Sequence, residues 1–280
     1  MKKAIKKGNF SHAYLFSGRE KLGKRKIALE IVSLLLGMDS DKNQHPDLLL
    51  IEPQEGEIRI SQIRDLIFWL SLKPYSGSFK AVIIDSVQTM NDEAQTAFLK
   101  TLEEPKGKTL LILISENTER LFPAILSRVQ IVKFYPVKKE EIKKYLKSRE
   151  IPQKEADEIA NISLGRPGIA VEYASDPKKL EFFKEKVKEF NKISRSELSF
   201  RFQLAKNLSE NFEELKETLD IWTIYLRGVL LENLVSDGKK QEYPASKIKK
   251  ILKIIQTTRF LLLTTNASSR LALETLMVEI

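Results

Sequence analysis

Five short apolar-rich runs punctuate the first half of the chain, at residues 13–16, 48–51, 81–84, 109–114 and 130–135. Between them, apolar residues recur every three or four positions, the spacing of a helix face. Strands alternating with helices predict a parallel five-stranded sheet with right-handed crossovers. The stretch 79–105 sets the pattern. Ala81, Val82, Ile83 and Ile84 have no polar face, as expected of a strand covered on both sides. The run ends in Asp85, and open α/β sheets bind ligands at that edge. Asn91 reads as an N-cap, with Asp92 and Glu93 in the first turn favourable to the positive end of the helix dipole. Ala94, Ala97, Phe98, Thr101 and Leu102 share one face, and Pro105 stops the helix. Elsewhere Ile27, Leu29, Ile31, Leu34 and Leu35 trace a helix, and Ser61 reads as the cap of another holding Ile63, Leu66, Ile67 and Leu70. Trp69, alongside, reads as core or domain interface.

The strand pattern stops after Pro136. Residues 138–149 and 151–163 read as short helices, and Gly165-Arg166-Pro167-Gly168 breaks the chain and opens a third at 169–174. From residue 176 onward the pattern is helical, with clear faces at 182–190, 215–234, 248–263 and 271–277 and a polar linker at Ser236-Asp237-Gly238. The expected division is an α/β domain at 1–137, a small helical domain at 138–175 and a helical domain at 176–280.

Composition narrows the chemistry. With 280 residues, 42% hydrophobic and 30% charged, the chain has the profile of a globular protein of two or three domains. The absence of cysteine excludes disulfides, zinc–thiolate sites and a cysteine nucleophile. No run has the length of a transmembrane helix, and MKKAIKKGNF lacks the apolar core of a secretory signal, so a cytoplasmic address is expected. A formal charge of +9 permits contact with nucleic acid, although segments such as KKEEIKKYLKSRE read as solvated helix faces.

The candidate site begins where the first run ends. Gly18 to Lys24 fits G-x-x-x-x-G-K between a strand and a helix, a loop whose N–H groups cradle phosphates. The next position should carry a hydroxyl for Mg²⁺. It is Arg25, which has no acceptor for a metal and brings positive charge where the cation should sit. A working P-loop ATPase needs a cradle, a metal-binding hydroxyl, a strand-end acid and a group that orients water. Gly18, Gly23 and Lys24 supply the first and Asp85 the third. Arg25 removes the second, and Ser86 offers no carboxylate for the fourth. Hydrolysis by this chain alone is not expected. His45, beside Pro46, reads as a turn residue, with no second histidine or cysteine near enough to complete a site. Arg128, taken alone, reads as half of a surface ion pair.

SHAYLFSG, HPDLLLIEP, AVIID, LKTLEEP and AILSRV occur in the order and spacing of the bacterial clamp-loader subunits of DNA polymerase III, and NASSRLALETLM resembles the end of that family's collar. The resemblance covers nearly the whole chain. Arg25 and Ser86 make it more similar to the delta-prime branch, whose nucleotide site is degenerate, than to the ATP-hydrolysing gamma/tau branch. It implies an AAA+ module, namely a P-loop α/β domain plus a small helical lid, followed by an all-α collar that joins subunits in a ring. It implies further that Ser127-Arg128 matches the motif that points an arginine at ATP on a neighbouring gamma/tau subunit. The partners implied are gamma/tau and delta subunits, with the sliding clamp and primer-template DNA reached through the assembly and no membrane contact. No cofactor is required on this reading, residual ATP or ADP in the loop stays open, and no zinc is expected. Many relatives carry a four-cysteine zinc module before the His-Pro-Asp turn, whereas Gly37 to Gln44 is short and cysteine-free. Val129 stands where the family usually has cysteine. Arg166 lies where hydrolysing relatives place a nucleotide sensor, but with Pro167 following it reads first as a turn residue. The rival readings are an active AAA+ motor subunit and a general DNA-binding accessory protein.

Overall fold

A computed structural model of the chain describes residues 10–38, 45–235, 244–265 and 267–280. The expected linker at Ser236-Asp237-Gly238, the stretch 39–44 of the cysteine-free loop and Asn266 of the terminal motif lie outside the described residues. The chain divides into two compact units, residues 1–137 and 138–280.

In the first unit, β1 (Ala13–Ser17), α1 (Lys24–Leu36), β2 (Leu48–Ile51), α2 (Ile60–Ser71), β3 (Lys80–Ile84), α3 (Asp92–Glu103), β4 (Thr109–Ser115), α4 (Pro123–Leu126) and β5 (Gln130–Lys133) follow in order. All strand pairs are parallel, in the order β2-β3-β4-β1-β5. Side chains of successive residues leave opposite faces of a strand, and here each face has its own cover. Leu15, Val82, Ile84, Leu111 and Leu113 pack with Leu66 of α2 and Phe98 and Leu102 of α3. Phe16, Ala81, Ile83, Leu110 and Ile112 pack with Ala28, Ile31 and Val32 of α1. β3 and β4 are buried along their whole length, which is why their sequences are unbroken apolar runs.

The expected helix is present as α1, with Ile31 buried and Ile27 and Leu34 40% and 50% exposed. The helix begins at a buried Lys24, and that start sets its phase, turning Lys24, Ala28, Ile31 and Val32 inward. Ser61 is not the cap of α2. The cap position is Arg59, two residues earlier, and the Arg59 N–H is satisfied by the Gln62 side chain (3.1 Å) while the Arg59 carbonyl accepts from the Gln62 N–H. Asn91 caps α3 as expected, accepting from the Ala94 N–H at 2.9 Å.

The His45 turn is structural. Its Nδ1 accepts from the Asp47 N–H at 3.0 Å, so the ring proton sits on Nε2, which faces the Ser76 hydroxyl at 3.2 Å. A ring nitrogen carrying its proton toward a hydroxyl cannot act as that hydroxyl's base. Asp47, 1% exposed, accepts from the Tyr75 and Ser76 N–H groups at 2.6 and 2.9 Å and fastens the chain ahead of β3. Beside it Lys80 lies over the Trp69 ring and donates to the Trp69 carbonyl (2.5 Å), so Trp69 takes part in packing within this unit.

The second unit is helical: α5 (Lys139–Ser148), α6 (Gln153–Ile162), α7 (Pro167–Ser175), α8 (Pro177–Ile193), α9 (Leu198–Ser209), α10 (Phe212–Val235), α11 (Ala245–Thr264) and α12 (Ser269–Glu279). Among its described residues are two apolar clusters. Ile142, Leu146, Ala156, Ile159 and Ala170 form the smaller. Phe190, Leu219, Trp222, Ile251, Ile255 and Leu276 belong to the larger. Arg166 is buried at the head of α7, where its carbonyl accepts from the Ile169 and Ala170 N–H groups, the position of a turn residue.

Candidate functional site

Parallel strands align their carboxyl ends. The register pairs Ser17 with Ser115 and Ile51 with Ile84, so Gly18, Glu116, Glu52 and Asp85 emerge along one edge of the sheet. The loop from Gly18 to Gly23 fills that edge. Gly18 (φ 152°) passes so close to β5's exit that a Cβ there would lie 2.4 Å from the Phe134 carbonyl oxygen. Gly23 (φ 84°) turns the chain into α1 through the left-handed region with open space around it.

The two cations at the head of α1 are both engaged. Lys24, 6% exposed, donates from Nζ to the Gly18 carbonyl and, at 2.7 Å, to the Arg19 carbonyl. Burial lowers its pKa, and the nearby charges of Glu116, Asp85 and Glu20 pull the other way. Arg25 forms an ion pair with Glu52, and the same Nη1 lies 3.7 Å from Asp85 Oδ2. The other Asp85 oxygen, Oδ1, accepts from the Ser86 N–H at 2.7 Å, and Ser86 takes a left-handed φ of 53°. Glu116 has its carboxyl pushed up by desolvation and by the charges of Glu20 and Asp85, against the pull of Lys24. The edge therefore gathers acids and bases, with Arg25 paired to Glu52 and Lys24 turned onto the loop carbonyls.

Gly18, Gly23, Lys24, Arg25 and Asp85 are thus assembled in one place. Ser127 and Arg128 are not among them. Gln130 pairs with Tyr14, so Arg128 lies at the amino end of β5, about 16 Å, one strand length, from the loop edge. There Arg128 Nη2 meets Glu103 Oε1 of α3 at 2.5 Å, while Nη1 donates to the Ala124 carbonyl (2.8 Å) and the Ser127 hydroxyl (3.1 Å). The arginine side chain remains 35% exposed.

Four contributors have no role assigned from the sequence, although Glu52 and Glu103 lie within HPDLLLIEP and LKTLEEP. Glu52 could have been found as Asp85 was, as an acid at the end of an apolar run. Glu103 left a weaker trace: an acid in the last turn of a helix opposes the dipole and calls for a cation nearby. Glu116 follows β4 in the same way as Glu52 follows β2. Gln95 left none. Buried at 2%, it accepts from the Phe122 N–H (2.8 Å) and donates to the Arg120 and Met90 carbonyls, tying α3 to the turn that leads to Arg128.

The profile of the family described as "DNA polymerase III, delta subunit" matches residues 1–138. The delta-prime subunit of DNA polymerase III from Pseudomonas aeruginosa is 37% identical over 135 residues, 42% of this chain and 41% of the relative. The Bacillus subtilis delta-prime subunit is 30% identical over 174 residues, 57% of this chain and 53% of the relative. The chain spans about half the length of the curated relatives it matches. Among solved structures, a gamma subunit-related protein of DNA polymerase III from Thermotoga maritima aligns over 99% of this chain and 97% of its own, with a TM-score of 0.57 and 21% identity, a likeness of fold. Over residues 1–138, just under half of the chain, the sequence is thus similar to the delta-prime subunits of DNA polymerase III.

Proposed function

We propose that this chain is a non-hydrolysing clamp-loader subunit that takes a place in a heteropentameric ring and supplies Arg128 in trans to ATP held by a neighbouring gamma/tau subunit. The ring, with a delta subunit, would load the sliding clamp onto primed DNA in the cytoplasm. Residues 138–175 would serve as the lid, and 176–280 as the collar that joins subunits. Among the described residues no helix is long and apolar enough to cross a membrane.

One observation carries the reading. The strand-end acid that a metal shell would use, Asp85, already faces an internal cation, Arg25, which also engages Glu52. A divalent ion entering there would meet a guanidinium rather than a hydroxyl, and the chemistry that needs it has no support. The loop then requires no cofactor, and any ATP or ADP it takes would be held by Lys24 and the loop N–H groups without a metal. Arg128 supports the second half. It stands a strand length from its own loop, half-exposed beside β5, an edge strand of the sheet, where another subunit's nucleotide can approach. A fixed guanidinium offered in trans stabilises charge on the transferring phosphoryl group and is worth on the order of 10³–10⁵ in rate.

The test is ATP hydrolysis by a loader reconstituted with clamp and primed DNA. The isolated chain should be silent and should raise turnover when added to its partners. Arg128→Ala should assemble without doing so. A fully active Arg128→Ala ring removes the trans-arginine role, and turnover by the purified chain returns the motor reading.

A further inference from the structure

The guanidinium of Arg128 is held by three groups. It has five N–H donors in a fixed plane. Nη1 donates to the Ala124 carbonyl and the Ser127 hydroxyl, and Nη2 forms an ion pair with the Glu103 carboxylate. Among the described residues Nε–H donates to no protein group, so part of the fork is left for an outside acceptor such as a phosphate oxygen.

Glu103 is itself fixed. It closes α3, whose other end is set by the Asn91 cap, and Gln95 of the same helix binds the turn at Arg120 and Phe122 that leads into α4. The carboxylate and the arginine it grips therefore ride on one rigid assembly. A free arginine would have to lose the freedom of a long side chain at the moment of reaction. A braced one has lost it already.

We infer that Glu103 is the positioning residue for Arg128, bracing its guanidinium so that its remaining N–H donors are presented to a phosphate group on a neighbouring subunit. This rests on the trans-arginine reading above. Glu103 touches no nucleotide in this role and acts only through Arg128.

The experiment is a double-mutant cycle in the reconstituted, clamp- and DNA-stimulated loader, using wild type, Glu103→Ala, Glu103→Gln, Arg128→Ala and Glu103→Ala/Arg128→Ala. Assembly is checked by size-exclusion chromatography and stability by thermal unfolding of each subunit. Glu103→Ala is expected to lower kcat about two- to fivefold with KM for ATP little changed, the scale of one half-exposed ion pair. Glu103→Gln keeps an acceptor for Nη2–H and should recover part of the loss. In the Arg128→Ala background, Glu103→Ala should cost nothing further. An equal loss in both backgrounds would mean that Glu103 supports the fold and not the arginine, and would overturn the inference. So would a Glu103→Ala ring that turns over as wild type while Arg128→Ala is impaired. If Arg128→Ala itself has no effect, the trans-arginine reading fails and the brace fails with it.

Discussion

Arg25 Nη1 lies 3.7 Å from Asp85 Oδ2, so the acid at the end of β3 has an internal cation where an ATP-hydrolysing relative would set a metal. Nucleotide binding by the wild-type chain, if measured by calorimetry, should therefore be the same with Mg²⁺ and with EDTA. Arg25→Thr removes the guanidinium from Glu52 and Asp85 and restores a hydroxyl. It should make ADP binding depend on Mg²⁺ while leaving hydrolysis absent, because Ser86 still offers no carboxylate. Mg²⁺-dependent binding by the wild type would show that Arg25 yields to the metal.

The two glycines of the loop should respond differently to alanine. Gly18→Ala drives a Cβ to 2.4 Å from a backbone oxygen at a positive φ, and either the loop or the β5 exit must move. A loss of about 2–4 kcal/mol is expected in urea unfolding. Gly23→Ala meets nothing within 4 Å and suffers only the left-handed backbone, about 1–2 kcal/mol. Equal losses would show that the contact with Phe134 is relieved at little cost.

Asp47 should govern acid stability in the first unit. Burial alone would raise its carboxyl, but the Ser76 and Tyr75 N–H donors and the Ser76 hydroxyl outweigh it and hold the pKa below the usual 3.8. A depressed folded-state pKa gives stability that is present in full above 3.8 and is lost as pH falls through the folded value. Asp47→Asn turns an amide donor toward backbone N–H groups and should cost about 1–3 kcal/mol at pH 7. Its stability should also fall less than that of the wild type below pH 3.8, a difference read from denaturation midpoints across an acid series.

In the second unit, Lys186 is 6% exposed and lies 2.8 Å from Glu214 and 3.3 Å from Glu189, with its own carbonyl accepting from the buried Trp222 indole N–H. Burial lowers its pKa, but the two glutamates outweigh that and the net direction is up. Its contribution is then complete below the ordinary 10.5 and is lost only as pH rises through the higher folded value. Lys186→Ala leaves Glu189 facing the core without its cation and should destabilise the helical unit by about 1–3 kcal/mol at pH 7, measured by urea denaturation.

Much of this was legible in the sequence, and for physical reasons. β3 and β4 are covered on both faces, so Ala81 to Ile84 and Leu110 to Ile114 could hardly be anything but strands. The loop and its missing hydroxyl could be read because those residues are contiguous. What pairs with Arg25 and Arg128 could not. Glu52 lies 27 residues after Arg25, and Glu103 lies 25 before Arg128; only the sheet register and the return of α3 bring them together. The phase of α1 was hidden for a related reason. Its inward face is fixed by Lys24 meeting the loop carbonyls, a contact that no periodicity of leucines and isoleucines records.

The close pass of Gly18 against Phe134 separates two things that a motif joins. The glycine is demanded by the joint between the loop and the neighbouring strand, before any ligand is considered. A chain that gave up phosphate chemistry altogether would still be held to glycine there by the geometry of its own sheet. The first letter of the G-x-x-x-x-G-K signature is therefore a record of architecture, and whether the loop handles a nucleotide has to be asked of Lys24 and Arg25, the residues whose side chains carry the charge.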